Sequence, residues 1–223
     1  MPQRSPLATG ETYHVMSKSI AGYKIFNGNR DYTRMMQTLR YFQIAESLPK
    51  LSQFLERNDV AKIGFEKCLE EYFGGAKQHI QIIALCLMPT HFHLVVKQLR
   101  DDGISKYMAG VLNSYSHYFN IKYKRLGPLW VGRFKCVLVD NDEQLLHLTR
   151  YVHLNPSTAE LVKKSEDWLY SSYAEYIKPE TVEYPLCQFS DLIDMKPREY
   201  KSFVNDHAGY QRELGKIKKL VLE

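Results

Sequence analysis

Apolar and polar positions along the chain alternate between a period of two and a period near three and a half, in a definite order. Thr12-Tyr13-His14-Val15-Met16, within Glu11–Ser19, is β-rich and reads as a first strand. After a turn near Phe26-Asn27-Gly28-Asn29, Asp31 is placed to cap a helix running to about Ser47, with Met35, Leu39 and Phe42 on one face. Leu48–Gly75 reads as further helix that stops at the Gly74-Gly75 break. Gln78–Leu87 is apolar and β-branched, a buried strand; Met88-Pro89-Thr90 then interrupts pairing, because proline supplies no donor. His91–Lys97 follows as its antiparallel partner. Gly103–Arg125 carries Ile104, Met108, Val111, Leu112, Tyr115 and Phe119 at helical spacing, and Leu126-Gly127-Pro128 breaks it. Phe134–Asp140 reads as another strand. Asn141 can cap a helix over 142–155, with Asp142 and Glu143 in its first turn, Leu145, Leu148 and Val152 as its buried stripe, and Pro156 as its end.

The order strand–helix–strand–strand–helix–strand–helix predicts an α+β fold, a ferredoxin-like antiparallel sheet with helices packed against it. Residues 178–223 add a C-terminal helical extension with pieces at Asp191–Asp194 and Pro197–Gly209, and with Pro179 and Pro185 as breaks. Leu192, Tyr200, Phe203 and Val204 suffice to dock it on a body of residues 1–177.

Charge changes this picture more than composition does. The net charge is +5, but residues 1–156 hold 20 Lys/Arg against 13 Asp/Glu, and residues 157–223 hold 10 against 12. A basic body with a mildly acidic tail points to an anionic partner, nucleic acid first, although an ordinary lysine excess would look the same. The N-terminal M-P-Q-R-S-P-L-A-T-G lacks the apolar segment of a signal peptide, and the longest apolar run, Ile82–Met88, is too short for a bilayer span. Cys68, Cys86, Cys136 and Cys187 are scattered without C-x-x-C spacing, which fits a reducing cytoplasm and argues against structural zinc.

Three stretches carry candidate chemistry. In L-M-P-T-H-F-H-L-V-V-K, His91 and His93 flank Phe92 and share one face of a strand. Imidazoles about 6–7 Å apart along a strand can converge on one metal ion, though histidines also occupy strands as satisfied polar groups. Lys122–Lys135 holds Lys122, Lys124, Arg125, Arg133 and Lys135 with no acidic residue, interleaved with Tyr123, Trp130 and Phe134. Cations that follow phosphates and aromatic faces that stack on bases suit single-stranded nucleic acid, while Trp130 and Phe134 are equally readable as buried. On the helix after Asn141, His147, Tyr151 and Asn155 fall at i, i+4 and i+8 on a polar stripe; His153 points elsewhere and reads as structural.

T-Y-H-V-M, M-P-T-H-F-H-L-V-V, G-P-L-W-V-G-R-F-K, R-Y-V-H-L-N-P and the weaker W-L-Y-S-S-Y occur in this order across residues 11–177. Together they resemble the single-tyrosine HUH transposases, and within them the REP-associated tyrosine transposases of bacteria. The resemblance implies that His91 and His93 are the metal pair, that Tyr151 is the nucleophile, and that Asn155 takes the place of the family's third, amide-type ligand. It also implies a 5′-phosphotyrosine intermediate. The T-A-E-L after Asn155-Pro156-Ser157 departs from the family's V-R-A-G-L and lacks its arginine, which bears on a DNA contact rather than on the catalytic set.

The expected activity is therefore cleavage and rejoining of single-stranded or hairpin-associated DNA with Mg²⁺ or Mn²⁺. Two neutral imidazoles and an amide leave the ion's charge undiminished, and a cation helps expose the phenolate of a group that titrates near about 10. Tyr118 and Tyr123 are alternative nucleophiles among 16 tyrosines. A DNA-binding protein that keeps the fold without catalysis, or a metal-dependent phosphodiesterase without a covalent intermediate, are the competing readings. A bacterial cytoplasmic, nucleoid-associated monomer with no membrane segment is the expected setting.

Overall fold

The computed structural model describes residues 7–206. Strand β1 (Thr12–Lys18) buries Tyr13, Val15 and Ser17 and leaves Thr12, His14 and Met16 partly exposed, the period-two pattern of a strand with one face in a core. Helices α1 (Asn29–Tyr41), α2 (Leu51–Leu55), α3 (Asn58–Ile63) and α4 (Phe65–Phe73) follow, then strands β2 (Ile80–Met88) and β3 (His91–Gln98). Next come α5 (Gly103–Lys122), β4 (Lys135–Leu138), α6 (Asp142–Thr158), α7 (Tyr173–Ile177) and α8 (Pro197–Asn205). The four strands form one antiparallel sheet in the order β2-β3-β1-β4, which is the ferredoxin-like arrangement that the element order predicts. β1 pairs β4 with Tyr13 opposite Leu138 and Val15 opposite Cys136.

The chain folds into two compact units. The first takes Lys18–Gln81 and Lys97–Phe134 with the stretch up to Glu11; the second takes Thr12–Ser17, Ile82–Val96 and the chain from Lys135. In the first unit α1 and α5 pack together, Tyr107 and Tyr115 are fully buried, and their hydroxyls donate to the Leu39 and Ile25 carbonyls. Gly110 is required there, because a Cβ would lie 2.4 Å from the Phe42 ring. A separate core of Tyr41, Phe54, Phe65 and Leu69 holds α2–α4.

Asp31 departs from expectation. Helix α1 starts at Asn29 after Gly28, and Asp31 sits in its first turn, fully buried. Its carboxylate accepts from the Asn27 N–H (2.9 Å), Tyr118 (2.8 Å), Tyr123 (2.7 Å) and Lys122 (2.5 Å). It is a hub for α5 as well as a partner for the chain entering α1.

In the second unit every residue of β2 is buried. Ile83 and Cys86 of β2 and Val95 of β3 share a core with Leu145 and Val152 of α6, Tyr173 and Tyr176 of α7, and Tyr200 and Val204 of α8. The expected boundary at 177/178 runs through this core, so the extension completes the unit. W-L-Y-S-S-Y covers the open edge of β2: the Leu87 N–H donates to the Tyr170 carbonyl, the Ser172 N–H to Leu85, and the Trp168 indole to Leu87. An edge strand so capped no longer offers free backbone groups to another chain. Asn141 caps α6 as predicted, accepting from the Gln144 N–H at 2.8 Å. Pro156 does not end α6; the helix continues to Thr158, with Ala159 N–H donating to the Asn155 carbonyl. A proline in the last turn removes one helical bond, and burial of Pro156 and Ser157 holds that turn in place. Helix α8 begins at Pro197 as expected, and its predicted end at Gly209 lies outside the described residues.

Candidate active site

Pro89-Thr90 turns the chain from β2 into β3, and His91 is the first residue of the new strand. Alternation buries Phe92 completely and puts His91 and His93 on the other face, with ring centroids 5.0 Å apart and planes at 81°. His91 lies half-buried with Nδ1 3.0 Å from Thr90 Oγ1. His93 is only 3% exposed. Because β1 is next to β3 in the sheet, His14 reaches the same place: its Nε2 is 3.0 Å from His93 Nδ1, and the rings stack at 5.2 Å and 18°.

Tyr151 comes from α6. Its ring stands edge-on to His93 (5.8 Å, 89°) and to His14 (6.3 Å, 78°), and the residue remains 37% exposed. Asn155 lies one turn further along α6, where its Nδ2 donates to the Tyr151 carbonyl at 2.9 Å. All five residues belong to the second unit.

Burial sets the protonation of this group. It drives the His93 pKa well below the ordinary 6.5, with His91 and His14 adding to the effect, and it lowers His14. Both rings are therefore neutral at neutral pH, so one of them donates the shared hydrogen bond. If His93 Nδ1 carries the proton and His14 Nε2 accepts, His93 Nε2 keeps a free lone pair. Burial also raises the Tyr151 pKa, against a hydrogen bond from Asn155 that pulls it down, so the phenol holds its proton until something opposes that.

Residues 54–155 match the IS200-like transposase family, a span that contains His91, His93, Tyr151 and Asn155. A Haemophilus influenzae protein described as a REP-associated tyrosine transposase is 25% identical over 165 residues, which cover 69% of this chain and 89% of that protein. Over these spans the chain is similar to IS200-like and REP-associated tyrosine transposases. A solved REP-associated tyrosine transposase bound to a REP hairpin shares the fold, with a TM-score of 0.51 and 16% identity over 87% of this chain and 94% of that one.

The structure sorts the remaining candidates. Trp130 is buried, and its indole donates to the Leu112 carbonyl at 3.1 Å, so it packs and offers no face to a base. Lys122 and Tyr123 are tied to Asp31, although Tyr123 as a residue stays 39% exposed. Arg125 braces the loop after α5, donating to the Asn120 side chain and the Pro128 carbonyl and lying over Tyr23. Lys124, Arg133 and Lys135 are exposed. Lys122–Phe134 belongs to the first unit and Lys135 to the second.

The alternative nucleophiles Tyr118 and Tyr123 both donate to Asp31. His147 engages Arg150, with Nδ1 2.6 Å from the guanidinium, and its ring lies 5.6 Å from that of Phe203. His153 is structural, as predicted: it is fully buried between the Tyr200 and Ser172 hydroxyls, and burial pushes its pKa down to about 3. Sequence reasoning missed His14. The T-Y-H-V-M motif contains it, but only the adjacency of β1 and β3 gives it a partner.

Proposed function

We propose that this chain is a metal-dependent endonuclease and strand transferase for single-stranded, hairpin-associated DNA, with Tyr151 as its nucleophile. The observation that carries the reading is the Tyr151 ring set edge-on to the buried His93, with His91 beside it on the same strand face. Among the described residues no three of His, Cys, Asp and Glu are grouped to hold a metal, so a metal here depends on His91, His93 and the Asn155 amide oxygen. Neutral imidazoles and an amide fit Mg²⁺ or Mn²⁺ acting as a Lewis acid on a phosphate oxygen.

The steps of this chain's own residues follow. Tyr151 Oη loses its proton to solvent, which its partial exposure allows, and attacks the phosphorus in line. The bond to the upstream 3′-oxygen breaks, and that oxygen takes a proton from water. The downstream strand stays joined to Tyr151 through its 5′-phosphate. Attack by a 3′-hydroxyl reverses these steps and reseals the strand without an external energy source. Asn155 stabilises the phenolate by its hydrogen bond, and His14 orients His93. The hairpin of the solved relative supports hairpin DNA as the partner; a bacterial cytoplasmic, nucleoid-associated setting is part of the same proposal. Lys124, Arg133, Lys135 and the exposed face of Tyr123 would hold the strand, with Lys122 and Arg125 adding positive field.

Tyr151→Phe tests the reading. It should fold with stability within about 0.5 kcal/mol of the parent, bind DNA, and fail to cut. The parent should form a detergent-resistant adduct carrying only the downstream fragment, located on Tyr151 by mass spectrometry. Cleavage by the Phe variant without any adduct in the parent would support the phosphodiesterase reading instead.

A further inference from the structure

The loop after α5 is built inside out. Arg125 is partly buried and spans the turn, while the aliphatic residue beside it, Leu126, is 94% exposed. The Arg125 N–H donates to the Asn120 carbonyl at 2.8 Å. Its guanidinium donates to the Asn120 side chain (3.2 Å) and to the Gly127 (3.3 Å) and Pro128 (2.7 Å) carbonyls. The Asn120 side-chain amide in turn donates to the Gly127 carbonyl at 3.0 Å. Lys124 takes a left-handed backbone with φ 49°, and Gly127 has φ 92°. A non-glycine residue keeps that conformation only where its surroundings fix it. All of these residues belong to the first unit.

A lone exposed leucine is ordinary on a protein surface. Solvation nevertheless favours a loop that turns its leucine onto the protein and its arginine into water. Here the hydrogen bonds of Arg125 and Asn120 hold the opposite arrangement and leave Leu126 at the tip of a fixed turn. Charge around it is equally one-sided. Residues 122–135 hold five cations and no acidic residue. The hydrogen-bond partners of Arg125 are all neutral, and among the described residues Lys124, Arg125 and Arg133 form no ion pair. The complement of such a surface is repeated negative charge with apolar faces between, which phosphates and bases supply together.

We propose that Leu126 is a wedge that packs against the open face of the base pair ending a hairpin stem. This role presupposes the DNA-directed activity proposed above and adds a determinant of substrate shape to it. Inside a continuous duplex a wedge must first unstack two base pairs, at a cost comparable to what one leucine returns. A flexible single strand presents base faces too, but each must be ordered to receive the side chain. At the end of a stem the face is already open and already fixed.

The test uses the full chain with Tyr151→Phe as parent, so that bound DNA stays intact. Leu126→Ser and Leu126→Met are compared on three DNAs: a hairpin whose stem ends in a single-stranded overhang, the same stem closed by loops at both ends, and a thymidine oligonucleotide. Leu126→Ser should bind the overhanging hairpin about 5- to 30-fold more weakly, with the salt slope unchanged because no charge is removed. Leu126→Met, apolar and similar in volume, should stay within about 2-fold of the parent. Neither variant should alter binding to the other two DNAs, and both should melt with the parent, because the side chain is exposed. A fluorescent adenine analogue in the terminal base pair should respond to the parent and the Met variant, and not to the Ser variant. Unchanged affinity of the Ser variant for the overhanging hairpin would overturn the wedge. An equal loss on all three DNAs would overturn the stem-end assignment in favour of a general apolar contact. Failure of the parent to bind any of the three would overturn the DNA reading as a whole and the wedge with it, and would turn this loop into a candidate contact for an acidic protein.

Discussion

His14 shows how one side chain on a neighbouring strand can govern a candidate metal ligand. A ring with two nitrogens offers a lone pair at one only if the other carries the proton, and His14 Nε2, 3.0 Å from His93 Nδ1, is placed to accept from it in that tautomer of His93. His14→Phe keeps a ring of similar size but removes the acceptor. Calorimetry should find Mn²⁺ affinity reduced about 10- to 100-fold, and His14→Gln, which retains an acceptor oxygen, should recover part of it. Unchanged affinity in the Phe variant would show that His93 needs no such orientation. Tyr151 obeys the opposite logic. Burial works against its ionisation, so the site must supply positive charge or hydrogen bonds at the phenol oxygen for it to react.

At the scale of elements, one buried carboxylate ties the start of α1 to the end of α5. Burial by itself would raise the Asp31 pKa, but hydrogen bonds from Lys122, Tyr123, Asn27 and Tyr118 outweigh it and hold the value below the ordinary 3.8. A depressed carboxylate pKa contributes stability that is present above the unfolded value and is lost as pH falls through the folded one. Asp31→Asn should therefore lower the urea midpoint at pH 7 and pH 5, and the gap to the parent should close as pH drops below about 4. A gap that persists at pH 3 would assign the effect to packing. The same hub explains why Lys122 and Tyr123 are less available to a phosphate backbone than their exposed neighbours Lys124 and Arg133.

For the whole molecule, the extension behaves as part of the second unit. Tyr176 stacks on Phe189 at 3.6 Å, Tyr200 reaches Thr149 and His153, and the Gln188 N–H donates to the Ile82 carbonyl of β2. With that edge strand capped and the core filled from its own chain, a monomer of 26.1 kDa is the expected solution state. Light scattering across a wide concentration range tests it, and a dimer that persists on dilution would contradict it. No helix of the described residues is long and apolar enough to cross a membrane.

Local patterns were sufficient for the element order, for the shared face of His91 and His93, for the Asn141 cap, and for the His147–Tyr151–Asn155 stripe, because each depends on residues a few positions apart. Asp31 and Pro156 depart from their local reading, and Trp130 takes the buried one of its two readings, for a common reason. A carboxylate after a turn resembles a cap, a tryptophan among lysines resembles a stacking platform, and a proline resembles a helix end; burial by distant residues decides otherwise. His14 needed the tertiary structure altogether. It acquires its role from a residue on another strand, 79 positions away. Contacts at that separation are set by sheet order and core packing, and no period in the sequence records them.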